Sequence, residues 1–319
     1  MIVYNTLVFC LVLFLYLHIY FHLKTSNDLE IFELSYPSKD KLEEVCDLRQ
    51  PARFDFNNER IIDGCKRETV LKTYGGFDVK LRNVKENYDD EEVYIPVTLK
   101  NAIKAIDGDD DNKYLTENNG DFLEETGLVK TFKYNDAFIR PHMVSNCIYD
   151  LCIGSDMMQT PFRYNVNYRN YFTVVEGAVS IKLAPPKSKK YLYVQNDYDN
   201  FEFRSPVNPW NVQEIYKADF DKVKCLEVRL EKGQMFFIPA YWFYSIKFEK
   251  DTTMCSFCYK TYMNNISIFP LLFMQFLQMH NTKRNTVPNI TTKQGNENNE
   301  TVEVKQNAVN AVNTVTNKQ

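Results

Sequence analysis

Histidine is scarce in this chain, and the scarcity argues against several kinds of catalytic site. The 319 residues contain four histidines, namely His18, His22, His142 and His280. The first two lie in an apolar N-terminal run, so a metal site with two histidines would need the other two to converge, and we do not expect one. A Ser-His-Asp or Cys-His arrangement is disfavoured for the same reason, although His142 with Cys147 and Asp150 stays open as an alternative.

Basic clusters, phosphate-binding loops and a disulfide framework are missing as well. The chain carries 38 Lys and Arg against 42 Asp and Glu, spread along its length, so we expect no nucleic-acid partner. Gly75-Gly76 lacks the Gly-Lys-Ser/Thr context of a phosphate loop. The eight cysteines lack the short repeated spacings of a disulfide scaffold. Cys255-Ser-Phe-Cys258 lies in a run typical of a strand, where residues three apart point to opposite faces, so we interpret both thiols as structural.

Charged residues are absent from Ile2 to Leu23, and this run is long enough to cross a hydrocarbon core as a helix. We therefore expect a single-pass membrane protein anchored through residues 2–23. A cleaved signal peptide is the alternative, but the run has no basic start, and Lys24-Thr-Ser-Asn-Asp follows it instead of a small-residue cleavage site. Lys24 is the only basic residue nearby, so flanking charge hardly orients the span.

The rest of the chain changes character several times. From about Asn281 onward polar residues replace aromatic ones, which predicts a disordered tail. Ser267 to His280 is apolar with helical spacing apart from Pro270, and this helix either covers the body or pairs with a second chain in a homodimer. We predict five parts. These are a membrane anchor at 1–24, a mixed helix and loop part at 25–138, a β-rich barrel at 139–263, an apolar C-terminal helix at 264–280 and a disordered tail at 281–319.

Periodicity predicts helices first and strands later. Ser38 is a capping residue before a run with helical spacing, and residues 99–106 repeat that spacing. From Val144 to Tyr262, short β-branched and aromatic runs alternate with Gly, Pro, Asn and Asp clusters, which predicts a mainly β jelly-roll barrel with flanking helices. Its strands are expected at 146–153, 171–176, 178–183, 190–194, 225–230, 234–238, 244–248 and 253–259.

Two motifs in this β-rich part resemble Jumonji-C and cupin-like hydroxylases of the asparaginyl hydroxylase type. The first is Thr160-Pro-Phe-Arg-Tyr-Asn165, followed by Asn170-Tyr-Phe-Thr-Val-Val-Glu-Gly177, and the second is Gly233-Gln-Met-Phe-Phe-Ile-Pro-Ala-Tyr-Trp242. The resemblance covers roughly Asn146 to Lys260 and implies a double-stranded β-helix. The Asn-, Lys- and Tyr-rich composition resembles that of degenerate members in large DNA viruses.

The same resemblance implies an iron site whose ligands this sequence lacks. Working members hold Fe(II) with two histidines and one carboxylate, which leaves open positions for 2-oxoglutarate and oxygen. The matching positions here are Arg163, Asn165 and Tyr244. A slip of one residue would place Tyr164 and Val166 at the first two positions and still supply no ligand. We therefore expect no metal, no cofactor and no catalytic residue, with a possible pocket formed by Thr160, Asn170, Ser256 and Trp242.

Three functions are compatible with these motifs. The first is a membrane-anchored cupin-like protein, inactive as an iron and 2-oxoglutarate oxygenase, that acts as a binding or assembly module. In that case Arg163 either binds a small anionic ligand or hydrogen-bonds Tyr244 and Asn165 and fills the cavity. The second is an active hydroxylase or demethylase with unusual ligands, which would need Fe(II) and 2-oxoglutarate. The third is a structural membrane or virion component that dimerises through its C-terminal helix.

Overall fold

Two mostly antiparallel sheets with flanking helices form the body of the protein. The computed structural model describes residues 1–85, 94–198 and 200–280, so the predicted tail at 281–319 lies outside the described residues. The strands are β1 (Phe32–Leu34), β2 (Ala52–Asp55), β3 (Asp78–Asn83), β4 (Tyr94–Thr98), β5 (Tyr114–Thr116), β6 (Val144–Gly154), β7 (Phe162–Tyr164), β8 (Arg169–Glu176), β9 (Ala178–Ala184), β10 (Gln195–Asp197), β11 (Glu202–Ser205), β12 (Leu226–Glu231), β13 (Gln234–Phe237), β14 (Phe243–Phe248) and β15 (Thr253–Thr261).

Helices lie before, between and after these strands. The helices are α1 (Ile2–Leu23), α2 (Lys39–Asp47), α3 (Glu59–Gly64), α4 (Arg67–Tyr74), α5 (Leu99–Asp107), α6 (Gly120–Glu125), α7 (Val129–Asn135), α8 (Glu214–Phe220), α9 (Tyr262–Ser267) and α10 (Phe269–His280). The two helices expected in the mixed part are confirmed as α2 and α5. The cap of α2 is also confirmed, because the Ser38 hydroxyl accepts a hydrogen bond of 3.3 Å from the backbone N–H of Lys41.

Two runs of successive strands, β6 to β9 and β12 to β15, alternate between the two sheets. The described residues give one nine-stranded sheet in the order β1-β2-β13-β8-β15-β6-β5-β3-β4 and one six-stranded sheet in the order β10-β11-β7-β14-β9-β12. The chain therefore crosses from one sheet to the other at each step from β6 to β9 and again from β12 to β15. The β1–β2 pair is parallel, and the other strand pairs of these sheets are antiparallel.

Strand β8 shows why the nine-stranded sheet is buried on both sides. Side chains alternate along a strand, so Tyr171 and Val175 face one way while Phe172 and Val174 face the other. The first two join the apolar core beneath helices α2 to α7. The second two join a separate core between the sheets. This central strand thus holds the helical layer and the six-stranded sheet in one body.

The structure confirms the predicted strands apart from the one at 190–194. Residues Pro186–Tyr191 form a 3₁₀ turn instead. The proline at the start of this turn fixes a helical φ, and Tyr193 has a left-handed φ of 48°, which a strand does not accommodate. The aromatic residues of that run therefore belong to a connection.

The mixed part between α1 and β6 also contains five strands that the sequence analysis missed. Strands β1 and β2 extend the nine-stranded sheet beyond β13, and β5, β3 and β4 extend it beyond β6. These strands have three to six residues each, too few for a clear period. Pro96 lies in β4, which is tolerated because β4 is an edge strand.

The apolar segment before the tail forms two helices where one was predicted. α9 ends at Ser267 and α10 begins at Phe269, with the buried Ile268 between them. Pro270 lies in the first turn of α10, where its missing N–H costs no helical hydrogen bond.

Helix α1 coincides with the predicted apolar run. Within the described residues it is the helix long and apolar enough to cross a membrane, with a mean hydropathy of 2.1. A signal sequence near the N-terminus has the same character. Its last turn contacts the body, since the buried His22 ring lies 3.3 Å from the hydroxyl of Thr261.

Candidate functional site

Three positions singled out by the resemblance meet at one cavity between the sheets. Arg163 on β7 and Tyr244 on β14 are direct partners across neighbouring strands. Asn165 follows β7, and its amide donates a hydrogen bond of 3.0 Å to the Tyr244 hydroxyl. All three line a cavity of about 310 Å³. Antiparallel pairing of β7 with β14 therefore brings together side chains that are some 80 residues apart in sequence.

Arg163 is held by two carboxylates rather than by the expected Tyr244 and Asn165. Its Nη2 lies 2.6 Å from a carboxylate oxygen of Glu117, and its Nη1 contacts Glu202. Tyr244 instead presents its ring to the guanidinium, with 5.9 Å between the Arg163 Cζ and the ring centroid. The prediction that Arg163 is a paired side chain is correct, but the predicted partners are wrong. The guanidinium fork satisfies two acidic groups at once.

A second arginine completes what we call the ion cluster, made of Arg82, Glu117, Arg163 and Glu202. Arg82 contacts Glu117 and has its Nη1 3.6 Å from a Glu202 oxygen. The four side chains are 0%, 5%, 14% and 11% exposed. Two positive and two negative charges are thus removed from water together, and their formal sum is zero.

The ion cluster joins the two sheets. Arg82 belongs to β3 and Glu117 directly follows β5, both in the nine-stranded sheet. Arg163 belongs to β7 and Glu202 to β11, which are neighbours in the six-stranded sheet. Each sheet therefore contributes one arginine and one glutamate. The Arg163–Glu117 and Arg82–Glu202 ion pairs each join one sheet to the other.

The cluster keeps all four side chains charged. Burial by itself would raise the pKa of Glu117 and Glu202, but the guanidinium groups of Arg163 and Arg82 outweigh burial and lower the pKa of both carboxyls. Burial would lower the pKa of Arg163, yet Glu117 and Glu202 outweigh it and raise that pKa. The cluster is therefore a fixed array of charges at neutral pH.

The remaining wall of the cavity is partly apolar and partly polar. Two of the predicted pocket residues, Thr160 and Ser256, line it. Thr160 Oγ1 accepts a hydrogen bond of 2.8 Å from the N–H of Ile246. Asp150, opposite Ser256 on β6, accepts N–H groups from the loop after β5, and burial raises its pKa. The apolar wall includes Leu115, Cys152, Phe172, Ile246, Phe248 and Met254.

The other two predicted pocket residues, Asn170 and Trp242, are not among those lining the cavity. The Asn170 amide donates to the carbonyl of Ile238 at 3.2 Å, which ties β8 to the end of β13. Trp242 is fully buried in the core between the sheets. Both side chains are used in packing the barrel, which corrects their assignment to the pocket.

The residues at this position do not fit an iron ion. The Arg163 guanidinium has no lone pair to donate and stays protonated. Burial raises the pKa of Tyr244, so its hydroxyl stays neutral, and it already accepts a hydrogen bond from Asn165. In the part of the chain that the structure describes, no group of three or more His, Cys, Asp or Glu side chains is placed to hold a metal ion.

His142 lies away from the cavity, in a groove of about 620 Å³ between α1 and the body. His18 and His22 line the same groove. The Nδ1 of His22 lies 2.9 Å from the carbonyl oxygen of His18, so that nitrogen carries the proton of the neutral ring. Three of the four histidines thus line this groove and lie away from the cavity between the sheets.

The two thiols of the C-x-x-C pair lie on opposite faces of β15, as predicted. Cys255 joins the core beneath the helices, and Cys258 lines the cavity. Burial raises the pKa of both thiols, that of Cys258 to about 12.

Sequence reasoning missed Arg82, Glu117 and Glu202. Arg82 alternates with Lys80 and Asp78 on β3, a pattern typical of a face turned to solvent. Glu117 stands in a short polar stretch, and Glu202 stands between Phe201 and Phe203, and neither belongs to a motif. Their burial follows from strand pairing between distant segments, which leaves no local signal.

A comparison with known protein families extends over most of the body. A family model described as a cupin-like domain matches residues 40–265. No curated protein matches the chain. The matched range begins in α2 and ends in α9, so it includes every described strand of both sheets except β1.

Proposed function

The chain belongs to the cupin-like domain family, and from this premise we propose that it is a membrane-anchored, non-catalytic member that acts as a binding or assembly module. The observation that carries the proposal is the ion cluster. It occupies the wall where the resemblance aligns the iron ligands, and there it places an arginine, which cannot bind a metal, and two carboxylates that are already paired with arginines.

The strand order supports a double-stranded β-helix as the finer description of the fold. β6 to β9 and β12 to β15 each alternate between the two sheets, as the turns of such a helix require. The cavity lies inside this barrel. A retained barrel with substituted ligands is what a degenerate member would have.

A structural role for Arg163 is better supported than an anion-binding role. Two carboxylates already neutralise its charge. The cavity wall also contains Asp150 and only one further cation, Lys260, among the residues that line it. Because the ion cluster is neutral and Asp150 and Lys260 balance each other, a small anion entering this cavity would meet no excess of positive charge. We propose that the cluster acts as a tie between the sheets.

Membrane anchoring through α1 is supported by contacts at its C-terminal end. The Arg49 guanidinium lies between the rings of Phe21 and Tyr168, with distances of 5.1 Å and 4.8 Å to the ring centroids. His22 is buried against Thr261. Removal of α1 as a signal peptide would strip these contacts from the body, so we propose that α1 is retained as a single-pass anchor.

A turnover assay tests the proposal against an active oxygenase. The full chain in detergent micelles is supplied with Fe(II), 2-oxoglutarate, ascorbate and oxygen, and succinate is measured. We expect no succinate above the protein-free background. Succinate that requires added Fe(II) and disappears in Tyr244→Phe would overturn the proposal and establish the oxygenase instead.

A further inference from the structure

Helix α10 exposes apolar side chains and turns its glutamines inward, which is the reverse of a helix on the surface of a soluble domain. Six large apolar side chains on it are between 44% and 68% exposed, namely Phe269, Phe273, Met274, Phe276, Leu277 and Met279. Its glutamines are less exposed, and Gln275 lines the cavity. A surface helix normally turns its apolar side chains inward and its polar ones outward. The outer face of α10 is therefore built for a partner that is not water.

Charge is absent around this helix and returns directly after it. The stretch from Tyr262 to His280 contains no Asp, Glu, Lys or Arg, and Lys283-Arg284 follows shortly afterwards. Apolar side chains followed by basic residues are typical of a helix at the boundary between acyl chains and anionic headgroups. A surface that binds a soluble protein normally has a polar rim around its apolar centre, and the stretch from Tyr262 to His280 has no charged residue to form one.

The packing of α1 against the body indicates which environment the outer face of α10 meets. The groove between α1 and the body is lined by Phe14 and Leu17 of α1 and by Met143, Tyr262 and Met263 of the body. Phe14 lies nine residues before the end of α1, which is about 14 Å along a helix axis. A hydrocarbon core is about 30 Å thick, so the body residues that line this groove lie next to the leaflet that holds the C-terminal half of α1 when α1 spans the membrane.

We propose that α10 lies in the surface of the same leaflet that α1 enters, with its outer face against lipid acyl chains. α9 contacts α1 and leads through the single residue Ile268 into α10, which keeps α10 near the membrane-proximal end. Met143 and Tyr262, which are 74% and 58% exposed, belong to the same lipid-facing surface. This inference rests on the proposed membrane anchoring.

Tryptophan fluorescence in vesicles of brominated phosphatidylcholine and phosphatidylserine tests the inference on the full chain. Three variants are compared, Phe14→Trp in α1, Phe273→Trp in α10 and Ile215→Trp in α8. Ile215 is 80% exposed and Phe273 is 48% exposed with its ring stacked on Phe269, and tryptophan keeps an aromatic ring at position 273. Emission of the parent chain, which has two tryptophans, is subtracted.

We expect Phe273→Trp to be quenched to an extent comparable with Phe14→Trp, while Ile215→Trp keeps its emission. Quenching of Phe14→Trp without quenching of Phe273→Trp would overturn the inference while α1 stays an anchor. That result together with a dimer in size measurements would assign the α10 face to a second copy of the chain. Absence of quenching in all three variants would refute the membrane anchor itself, and the inference with it.

Discussion

Replacing Arg163 by methionine is the most informative perturbation of the ion cluster. Arg163→Met keeps most of the side-chain volume and removes one of two positive charges. Arg82 is then the one arginine left in the ion cluster to pair with Glu117 and Glu202, whose side chains are only 5% and 11% exposed. Breaking a buried ion pair by removing one partner costs roughly 3–5 kcal/mol, because the remaining charge is left uncompensated. Typical stabilities are about 5–15 kcal/mol, so the expected loss is a large share of the total.

Denaturant unfolding of the full chain in detergent micelles measures this loss. The matched control is Arg229→Met, because Arg229 pairs with Glu249 and Glu231 on the exposed surface. Exposed pairs contribute little, so the control should keep the unfolding midpoint of the parent. Equal midpoints for Arg163→Met and Arg229→Met would refute the claim that the cluster stabilises the barrel.

A rescue separates lost charge from lost packing. Adding Glu202→Gln to Arg163→Met removes the one uncompensated negative charge, leaves the Arg82–Glu117 pair and keeps the side-chain shape at position 202. We expect the double variant to regain part of the lost free energy of unfolding, since residues in one network couple strongly. A double variant that is less stable by the sum of the separate losses would show that the groups act independently.

Three further predictions concern acid stability, a turn and the anchor. The arginines of the ion cluster lower the pKa of Glu202 from 4.5 to about 2, so its contribution to the free energy of unfolding is present above pH 4.5 and is lost as the pH falls towards 2. Unfolding midpoints measured across this range should fall in the parent and change less in Arg163→Met. Gly177 has a φ of 72°, and a Cβ there would lie 2.9 Å from the Thr252 Cα, so Gly177→Ala should cost about 1–3 kcal/mol of unfolding free energy. Gly76→Ala, with nothing within 4 Å of its added Cβ, serves as the control and should stay near the parent. Leu13→Arg should weaken retention of the chain in carbonate-washed membranes, because a charge near the centre of a membrane helix costs about 3 kcal/mol of insertion free energy. Full retention of this variant would contradict the role of α1 as the anchor.

Much of the barrel was predictable because its strands carry their own pattern. β8, β9, β14 and β15 are long apolar runs bounded by turn residues, and each was expected close to its observed position. The helices α2 and α5 were predictable from a cap and from helical spacing. The five strands before β6 escaped prediction because short strands are stabilised by their neighbours in the sheet rather than by their own sequence.

The candidate site was predictable only in part, for a related reason. Arg163, Asn165 and Tyr244 stand in motifs, and strand pairing brings them together. The ion partners of Arg163 come from β5 and β11, whose pairing depends on the folded sheets. A buried charge in a short polar segment looks like a surface residue until its partners are known. The role of Arg163 therefore changes from a candidate anion ligand to one member of a neutral cluster.

The metal content of the full chain tests the central claim most directly. The protein is purified without chelators after expression in iron-supplemented medium, and bound metals are quantified by mass spectrometry against protein concentration. Because Arg163 and the neutral Tyr244 stand where iron ligands would be needed, and the carboxylates of the ion cluster are paired with arginines, we predict iron far below one atom per chain. Iron near one atom per chain, lost on Asn165→Ala or Tyr244→Phe substitution, would contradict this account.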